Sequence, residues 1–444
     1  MSRSAGASGR EHILVTNSVA LNGGDAAILL GLLRGVRRAF GPGVSVDVAD
    51  EAFSAAARAY PDISFVPPLH GSARRPQGPI EALARSLRRR RVSAADALVG
   101  AAPALARLLL PPAGRAQLDR LRGTAAVIST GGTYLVEHYP LRRRLESIDI
   151  PARLGVPTYL YTQSLGPFAD PRTARRVANA LSRAARVFLR DGRSRDHLLE
   201  IGVDADRLSV HPDAAFALAR APGAAPPEPT RVALSVRHWP HHRTRTPEEG
   251  QRRYREAIGA VARRLAAAGA RVTFLSTCQG QPEYRTDDAR YAARIVEEHL
   301  AHVPGVEVDA AFRTPEELID ELAGYHLAIA TRMHFAILAL CAGVPVAPIA
   351  YEFKTAELFA GFGWEPRVTE LESISAEALW RNVDATLADA AGIRTRLAEE
   401  LPRLREAAME PAERIREDLR GAAADHQSAP GRPPADPGTA LGDR

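Results

Sequence analysis

The sequence predicts an α/β protein built from two Rossmann-like domains that face a cleft. Short apolar runs of strand-forming residues alternate with longer helix-forming runs along most of the 444 residues, and such alternation is typical of parallel sheets covered by helices. A segment rich in Ala, Pro and Gly, residues 218–230, divides the pattern into two similar halves and is expected to be a linker. Two such halves with a cleft between them describe a GT-B-like architecture.

The composition is that of an ordinary soluble globular protein, with 45% hydrophobic and 25% charged residues. The chain is long for a single hydrophobic core, which favours two domains. It has no run of about eighteen uncharged apolar residues, so we expect no transmembrane helix. Residues 1–11 are polar and small and do not form a secretory signal. We therefore predict a cytoplasmic protein.

The basic residues are almost all arginine, since Lys354 is the only lysine among 58 Lys and Arg residues. This bias is typical of a GC-rich genome, so the net charge of +6 is weak evidence for a nucleic-acid partner and we predict none. A retained lysine suggests a position where a planar guanidinium cannot serve. Cys278 and Cys341 have neither metal-ligand nor disulfide spacing and are expected to be buried thiols.

Residues 11–217 are predicted to form the N-terminal domain, after a disordered leader at residues 1–10. Its first strand, residues 12–17, leads into Asn22-Gly23-Gly24-Asp25 and an apolar helix at residues 26–40. Gly23 and Gly24 let the backbone approach a ligand closely. Asp25 suits a helix N-cap, so a structural role explains it as well as a catalytic one. The further predicted strands are residues 44–48, 125–129, 156–161, 186–190 and 208–211.

Two of these strands end in loops of small and polar residues. Thr130-Gly131-Gly132-Thr133 follows one strand, and Gln163-Ser164-Leu165-Gly166-Pro167 follows the next. Because carboxyl ends of parallel strands meet at one edge of a sheet, the loops point to a shared crevice faced by Gly131, Gly132, Ser164 and Gly166. Gly and Pro also end strands without any functional reason, which is the alternative.

An Arg-rich and Pro-rich insertion is predicted at about residues 70–122. It contains Arg88-Arg89-Arg90-Arg91 and an apolar segment at residues 94–110. We expect helices with a solvated basic face. The alternative is a basic amphipathic helix that makes a peripheral contact with an anionic membrane surface.

Residues 231–420 are predicted to form a C-terminal, donor-binding domain, followed by a disordered tail at residues 421–444. Its first strand, residues 231–237, carries Arg237 at its carboxyl end. Further strands are expected at residues 272–276, 306–308, 325–330 and 344–350, and helices at residues 247–268, 286–299, 315–323 and 335–342. Terminal helices at residues 376–387 and 393–419 are expected to pack on the outside.

The stretch Thr331-Arg332-Met333-His334 lies at the turn from a predicted strand into a predicted helix. Such a turn is where open α/β sheets bind ligands, and the free N–H groups of the helix start favour an anion. A guanidinium recognises phosphate or carboxylate with two hydrogen bonds, and an imidazole can move a proton near neutral pH. Arg332 and His334 therefore predict an active-site corner, although an Arg at such a turn can also be simply solvated.

The loop after Arg237 contains His238, His241 and His242. Three neighbouring histidines without a carboxylate or cysteine partner favour a polar loop over a metal site. We predict no metal.

Several of these motifs, in chain order, resemble those of the polysaccharide pyruvyl transferase family, from about residue 12 to residue 363. The motif at Arg332 is the most specific of them, whereas each glycine loop is weak alone. The residues that carry the resemblance are Gly23-Gly24-Asp25-Ala26-Ala27-Ile28, Gly131-Gly132-Thr133-Tyr134-Leu135, Gln163-Ser164-Leu165-Gly166-Pro167, Arg190 with Ser194 and Gly202, Asp213 with Phe216, Arg332-Met333-His334, Gly343-Val344-Pro345, and Tyr351 to Lys354.

The resemblance implies a GT-B-like enzyme that moves a pyruvyl group from phosphoenolpyruvate onto a sugar, usually as a ketal bridging two hydroxyls. It places Arg332, His334 and Arg237 at the donor, and Asp25 with the Gly131 and Gly166 loops across the cleft. This sequence has Ser129-Thr130 before the two glycines, and its His-rich loop is unusual for the family. The acceptor therefore stays open, as does its attachment to a lipid.

The residues suit this chemistry on their own terms. Phosphoenolpyruvate carries a phosphate and a carboxylate, so two arginine forks are expected, and Arg237 and Arg332 end strands of one domain. His334 is the candidate acid that protonates the methylene carbon, and Lys354 a compact charge for an anionic group. We predict His334, Arg332 and Asp25 as catalytic residues. No step requires a metal or a redox cofactor.

Two other functions are open. A glycosyltransferase with a nucleotide-sugar donor would share the fold. A pair of glutamates eight residues apart would support a glycosyltransferase, but Glu352 and Glu357 are only five residues apart. A non-catalytic glycan-pathway protein would not need both Arg332 and His334. The oligomeric state and the choice between a ketal and an enolpyruvyl product are also open.

Overall fold

The fold consists of two parallel α/β domains joined by a short connection. The computed structural model describes residues 11–68, 95, 98–110, 112–137, 139–223, 226–284, 286–363 and 367–428. The predicted leader, Arg88-Arg89-Arg90-Arg91 with most of the insertion before residue 98, and residues 429–444 lie outside these ranges. None of the helices in the described ranges has the length and apolar character to span a bilayer.

The N-terminal sheet is parallel throughout, and its strands run in the spatial order β3-β2-β1-β4-β6-β7-β8, with β5 beside β6. The strand order reverses between β1 and β4, which makes that edge the expected ligand-binding crevice. The strands are β1 His12–Ser18, β2 Ser45–Asp50, β3 Ser64–Val66, β4 Ala126–Ser129, β5 Gly132–Leu135, β6 Thr158–Leu165, β7 Arg186–Leu189 and β8 Leu208–Val210.

Helices cover both faces of this sheet, as its continuous buried strands require. The apolar side of α1 contributes Ile28, Leu29 and Leu32 to a core shared with β1 and β4. The helices are α1 Gly23–Phe40, α2 Phe53–Ala59, α3 Pro103–Leu109, α4 Pro112–Arg122, α5 Leu141–Arg153, α6 Pro171–Leu181 and α7 Gly192–Glu200. The described end of the insertion, α3 and α4, is helical as predicted and packs Leu118 and Leu121 against the sheet.

The C-terminal sheet is also parallel, in the order β11-β10-β9-β12-β13-β14, with its reversal between β9 and β12. Its strands are β9 Arg231–Ser235, β10 Arg271–Phe274, β11 Val306–Val308, β12 Leu327–Ala330, β13 Val346–Ala350 and β14 Thr369–Glu370. The helices are α8 Pro247–Ala267, α9 Asp288–His299, α10 Pro315–Leu322, α11 Met333–Cys341, α12 Phe353–Ala360, α13 Ala376–Ala388 and α14 Ala390–Ser428. The predicted fold of two Rossmann-like domains is confirmed.

The last helix corrects two expectations. We predicted that it packs on the outside of the C-terminal domain, but its second half crosses back to the N-terminal domain, where Ala412 and Ile415 are fully buried in the α1 core. The hydroxyl of Tyr161 on β6 donates to the carbonyl of Ala408, 3.0 Å away. The helix also runs to Ser428, past Gly421, where we predicted a disordered tail to begin. Three alanines after Gly421 sustain the helix through the glycine.

Two predicted loops are partly strand. Residues Gln163, Ser164 and Leu165 extend β6, and Gly132 starts β5 beside it, with Gly132 level with Gln163 and Leu135 level with Leu165. Leu135 and Leu165 are both fully buried. The apolar residues at the ends of these segments therefore continue the sheet past the point where Gly and Ser suggested it would stop.

The two domains touch at the start of α1. The backbone N–H of Gly23 donates to the carbonyl of Thr277 (2.9 Å), and the side-chain amide of Asn22 donates to the Tyr284 hydroxyl (2.9 Å). A side-chain carbon at Gly23 would lie 2.3 Å from that Thr277 oxygen, so only glycine allows this contact. The first turn of α1 is therefore held against the carboxyl-end loops of the C-terminal sheet.

Candidate active site

Asp25 lies in the first turn of α1 but does not cap it. The cap is Asn22, whose side-chain oxygen accepts from the N–H of Gly24 at 3.0 Å. The prediction that Asp25 caps the helix was wrong, because Asn22 stands one turn earlier and caps at least as well. Its carboxylate is therefore available for another role.

The charge of Asp25 is poorly solvated. Burial raises the pKa of its carboxyl group, although His334, Arg144, Arg190 and Lys354 all act in the opposite direction. These four residues come from both domains. Their convergence on one carboxylate identifies the place where the domains form a common site.

Gly24 and Gly132 shape the space around that carboxylate. A side-chain carbon at Gly24 would lie 2.7 Å from Nδ1 of His334, so glycine is needed for the imidazole to approach the helix start. Gly132 has φ of 130°, and a side-chain carbon there would lie 3.4 Å from Oδ1 of Asp25. The structure thus brings Gly24, Gly132, Asp25 and His334 together across the domain boundary.

His334 stands in the first turn of α11, at the carboxyl end of β12. Its Nε2 atom lies 3.4 Å from Oδ2 of Asp213 and 3.5 Å from Nη1 of Arg190. A carboxylate at one ring nitrogen fixes the orientation of an imidazole. Asp213 is the first residue of the short turn after β8, and its Oδ1 accepts from the N–H of Ala215 at 2.9 Å.

Arg190 ties this cluster together. Its guanidinium donates to Asp213 Oδ2 (2.6 Å), Ser164 Oγ (2.7 Å) and Thr133 Oγ1 (2.6 Å). Burial alone would raise the pKa of Asp213, but Arg190 and His334 hold it well below its usual range. The Asp213 side chain is 3% exposed and stays ionised at neutral pH.

Arg190 and Asp213 belonged to the sequence motifs but were not predicted as site residues. The signal that would have found them is the one applied to Arg237 and Arg332, since each follows a strand at its carboxyl end. Ser164, predicted on the acceptor side, lies in the same network and also donates to Asp191 Oδ2 at 2.6 Å.

Arg332 is held by an acidic partner. Its Nε and Nη2 donate to the two oxygens of Asp288 at 2.6 and 2.8 Å, and its side chain is 11% exposed. Asp288 Oδ2 also accepts from Ser276, whose hydroxyl in turn accepts from the N–H of Cys278. The fork that we expected to bind the donor is therefore engaged in holding the 276–278 loop against Gly23. That Arg332 binds the donor stays a prediction, and the nitrogen left to make such a contact is Nη1.

Arg237 and Lys354 both lie near the ring of Tyr351. The Arg237 guanidinium lies 4.5 Å from the centre of the Tyr351 ring and 5.0 Å from that of Trp239, and it donates to the Tyr351 hydroxyl. Lys354, in the first turn of α12, lies 5.9 Å from the same ring centre and pairs with Glu352 at 2.7 Å. These two predicted donor ligands share a surface, but whether they bind the donor stays a prediction.

The other predicted glycines have packing roles. A side-chain carbon at Gly131 would lie 2.8 Å from Ile28 of α1, and one at Gly166 would lie 2.8 Å from the His197 ring. Neither contact involves Asp25 or His334. Both glycines permit the loops to pack closely, and neither is brought to the cluster itself.

The three histidines after Arg237 have separate environments. His238 packs edge-on against Tyr291, and His241 against Trp239. His242 is buried beside Glu372, with Nδ1 3.7 Å from a carboxylate oxygen. Within the ranges that the structure describes, no group of three His, Cys, Asp or Glu side chains could hold a metal ion.

Comparison with known proteins assigns the chain that carries this site to a family. The polysaccharide pyruvyl transferase family model matches residues 22–352, a range that includes Asp25, Arg190, Asp213 and His334. The chain belongs to the polysaccharide pyruvyl transferase family. It is 27% identical to the amylovoran biosynthesis protein AmsJ of Erwinia amylovora over 281 residues, which cover 61% of this chain and 67% of AmsJ.

Solved structures with a similar fold include UDP-N-acetylglucosamine 2-epimerases. One such epimerase aligns with a TM-score of 0.53 and 13% identity over 97% of this chain and 99% of that one. The enzyme from Neisseria meningitidis, bound to UDP-GlcNAc, aligns with a TM-score of 0.51 and 9% identity over 93% of this chain and 100% of its own. At these identities the likeness shows the fold alone, a GT-B-like pair of Rossmann domains.

Proposed function

We propose that this polysaccharide pyruvyl transferase moves a pyruvyl group from phosphoenolpyruvate onto two hydroxyls of a sugar in a glycan precursor, where it forms a ketal. The observation that carries the proposal is the cluster of His334, Asp213 and Arg190 beside the poorly solvated carboxylate of Asp25. The acceptor would be a lipid-linked or free precursor of a surface polysaccharide, pyruvylated in the cytoplasm.

The donor binds on the C-terminal side of the cluster in this proposal. Phosphoenolpyruvate is an anion with a phosphate and a carboxylate, and Arg237 and Lys354 supply two cations near the Tyr351 ring. The N–H groups at the start of α11, where no side chain caps the helix, favour an anion as well. No metal is needed to neutralise the donor, because cationic side chains and the helix start serve that purpose.

The reaction balances with protein groups alone. A proton from His334 goes to C3 of phosphoenolpyruvate, which becomes a methyl group, and the resulting positive charge at C2 is attacked by a sugar hydroxyl. The C2–O bond to phosphate then breaks, and a second hydroxyl closes the ketal. Of the two hydroxyl protons, one replaces the proton that His334 delivered and the other leaves with inorganic phosphate.

Asp25 is the base that accepts a hydroxyl proton. A raised pKa makes a carboxylate a stronger base, and general base catalysis is most effective when the pKa approaches the working pH. Asp213 stays ionised and keeps the His334 ring in position throughout. The Arg190 guanidinium stabilises the ionised form of Asp213 and takes no part in proton transfer.

The test is turnover of phosphoenolpyruvate labelled with ¹³C in the pyruvyl carbons, with oligosaccharide fractions of the host polysaccharide as acceptors. We expect label in the glycan with release of inorganic phosphate, and a loss of about 10²- to 10⁴-fold in His334→Ala, the usual contribution of a general acid. His302→Ala, at an exposed position, is the matched control. Equal rates for the two variants would contradict the role of His334. Phosphate release without label in any glycan would contradict the transfer.

A further inference from the structure

A cavity lies in the N-terminal domain, at the carboxyl ends of β1, β2 and β3. Its empty space is roughly 700 Å³ when the open mouth is included. Helices α4 and α5 form its other side. Carboxyl ends of parallel strands near the reversal of strand order are where open α/β sheets bind ligands. The cavity is lined by Leu14, Thr16, Asn17, Ser18, Ala49, Glu51, Val66, Pro67, Pro68, Gln117, Arg120, Arg143, Arg144 and Ser147.

The lining carries an excess of positive charge. Three arginines, Arg120, Arg143 and Arg144, face one carboxylate, Glu51. Their ion pairs are loose: Arg143 lies 3.8 Å from Glu51, and Arg120 lies 3.9 Å from Asp47. Exposed pairs at such distances contribute little, so these guanidinium groups can exchange their partners for a ligand anion at small cost.

The floor of the cavity holds a polar group that has no partner. Thr16 is 2% exposed, and its hydroxyl makes no hydrogen bond within the described residues. A buried hydroxyl without a partner is unfavourable unless a ligand or water satisfies it. Beside it, Asn17 adopts φ of 63°, a conformation rare outside glycine, and its side chain bonds Ser129 and Ser147. Such backbone conformations often occur at ligand sites.

The cavity adjoins the candidate active site. Arg144 belongs to its wall, lies 5.0 Å from the ring centre of Tyr134, and acts on the charge of Asp25. A side-chain carbon at Gly132 would contact both the Tyr134 ring and Asp25. A molecule in this cavity therefore lies beside Arg144, which the Tyr134 ring and Gly132 connect to Asp25 within the N-terminal domain.

We infer that this cavity binds the acceptor and recognises a negatively charged group on it, a carboxylate or a phosphate attached to a sugar. Only the identification of the bound sugar as the acceptor rests on the proposed function. The binding of an anionic sugar is inferred from the charge and polarity of the lining. Apolar Pro67 and Val66 offer surface for the faces of a sugar ring, and Arg143 offers two parallel N–H donors to an anion. A neutral sugar would offer those donors no charged acceptor.

The test is calorimetric titration, without phosphoenolpyruvate, of methyl glucuronide, glucose 1-phosphate and methyl glucoside. We expect at least one charged sugar to bind about tenfold more tightly than the neutral glucoside, and Arg143→Gln to remove that difference, because a hydrogen bond to a charged group is worth roughly that factor. Comparing the glucuronide with the phosphate identifies which anion is preferred. Arg142→Gln, the neighbouring exposed residue of α5 paired with Glu146, is the control and should retain the preference.

Equal affinity for the three sugars, or equal loss in the two variants, would overturn the inference. Melting curves of both variants establish that they are folded. If charged sugars bind more tightly through Arg143 but phosphoenolpyruvate does not bind, the proposed donor is refuted and the anionic sugar site is supported. Stabilisation by phosphoenolpyruvate with no preference for charged sugars would do the reverse.

Discussion

Asp25 occupies the first turn of α1, where the helix dipole stabilises an acidic side chain. Its carboxylate is nevertheless poorly solvated, and burial raises its pKa. Asp213, close by, is more deeply buried but has its pKa lowered by Arg190 and His334. Two neighbouring carboxyl groups whose environments shift the pKa in opposite directions are suited to different tasks. Asp25 is suited to accept a proton and Asp213 to remain charged.

Replacing Asp25 should stabilise the protein at neutral pH. Below the ordinary carboxyl pKa of 3.8 the folded and unfolded states are both protonated, and Asp25 costs nothing. Between pH 3.8 and the raised pKa the unfolded state releases its proton while the folded state keeps it, so the stability falls as the pH rises over that interval. Asp25→Asn should therefore melt higher than the wild type at pH 8, by a margin that shrinks as the pH falls towards 3.8, while losing turnover. A margin that shrinks as the pH rises would contradict the assigned shift.

Replacing Asp213 should have the opposite effect. The lowered pKa means that Asp213 contributes stability above pH 3.8, which is lost as the pH falls through the lowered value. Asp213→Asn leaves Arg190 buried without its charged partner, a change that costs about 3–5 kcal/mol. Glu417→Gln, which breaks the exposed pair with Arg414, should cost less than about 1 kcal/mol. Urea denaturation at pH 7 measures both, and equal losses would show that the Arg190 pair is not structural.

Single residues also mark where sequence reasoning failed. The turn from strand to helix correctly indicated that Arg332 and His334 lie at the carboxyl edge of the sheet. It could not show that Asp288, 44 residues earlier, holds the Arg332 fork, because the pairing depends on two elements meeting in space. Likewise, we took Asp25 as the cap of the first helix, whereas Asn22 caps it, three residues earlier in the same turn.

Among the elements, the pair of Arg332 and Asp288 connects the start of α11 to the loop after β10. That loop supplies the Thr277 carbonyl on which Gly23 rests. Arg332 is thus a positioning residue for the domain contact, whatever its role at the donor.

Arg332→Lys should loosen that contact. A lysine cannot make the two parallel bonds to Asp288, and a single ammonium in this confined space fits the carboxylate poorly. We expect a lower melting temperature and a raised KM for both substrates, with a smaller change in kcat. Arg255→Lys, whose pair with Glu298 is more exposed, is the control. A kcat loss as large as that of His334→Ala, with KM unchanged, would instead place Arg332 in the chemistry.

Helix α14 is the element that sequence patterns described least well. We predicted this helix but assigned it to the C-terminal domain, and its sequence could not decide this because either sheet could accept an apolar stripe. The structure shows that Tyr161 and α1 receive its second half.

Truncating a buried side chain in that half should destabilise the N-terminal domain. Ile415→Ala removes a fully buried side chain from the α1 core and should cost about 2–5 kcal/mol. Arg403→Ala, at an exposed position on the same helix, should cost less than about 0.5 kcal/mol. Equilibrium unfolding followed by hydrogen exchange at α1 distinguishes the two. Unchanged protection of α1 in Ile415→Ala would contradict the packing.

On the scale of the whole molecule, the alternation of strands and helices was enough to predict two Rossmann-like domains, because the pattern repeats on either side of a clear boundary. The strand orders reverse at β1/β4 and β9/β12, and Asp25 and His334 follow β1 and β12 at those reversals, whereas Arg190 and Asp213 follow β7 and β8. What the pattern could not give is the fit between the domains. That depends on close approaches at Gly23 and Gly24, which distinguish this interface from two sheets merely joined by a linker.

The central claim is that the two domains together use phosphoenolpyruvate as the donor, and the most direct measurement is thermal stability with phosphoenolpyruvate beside a panel of nucleotide sugars. At a hundred times its dissociation constant a ligand stabilises the folded state by about 2.7 kcal/mol. We predict such a shift with phosphoenolpyruvate, lost in Arg237→Ala and retained in Arg142→Ala. A shift with a nucleotide sugar and none with phosphoenolpyruvate would contradict the claim and identify a glycosyltransferase.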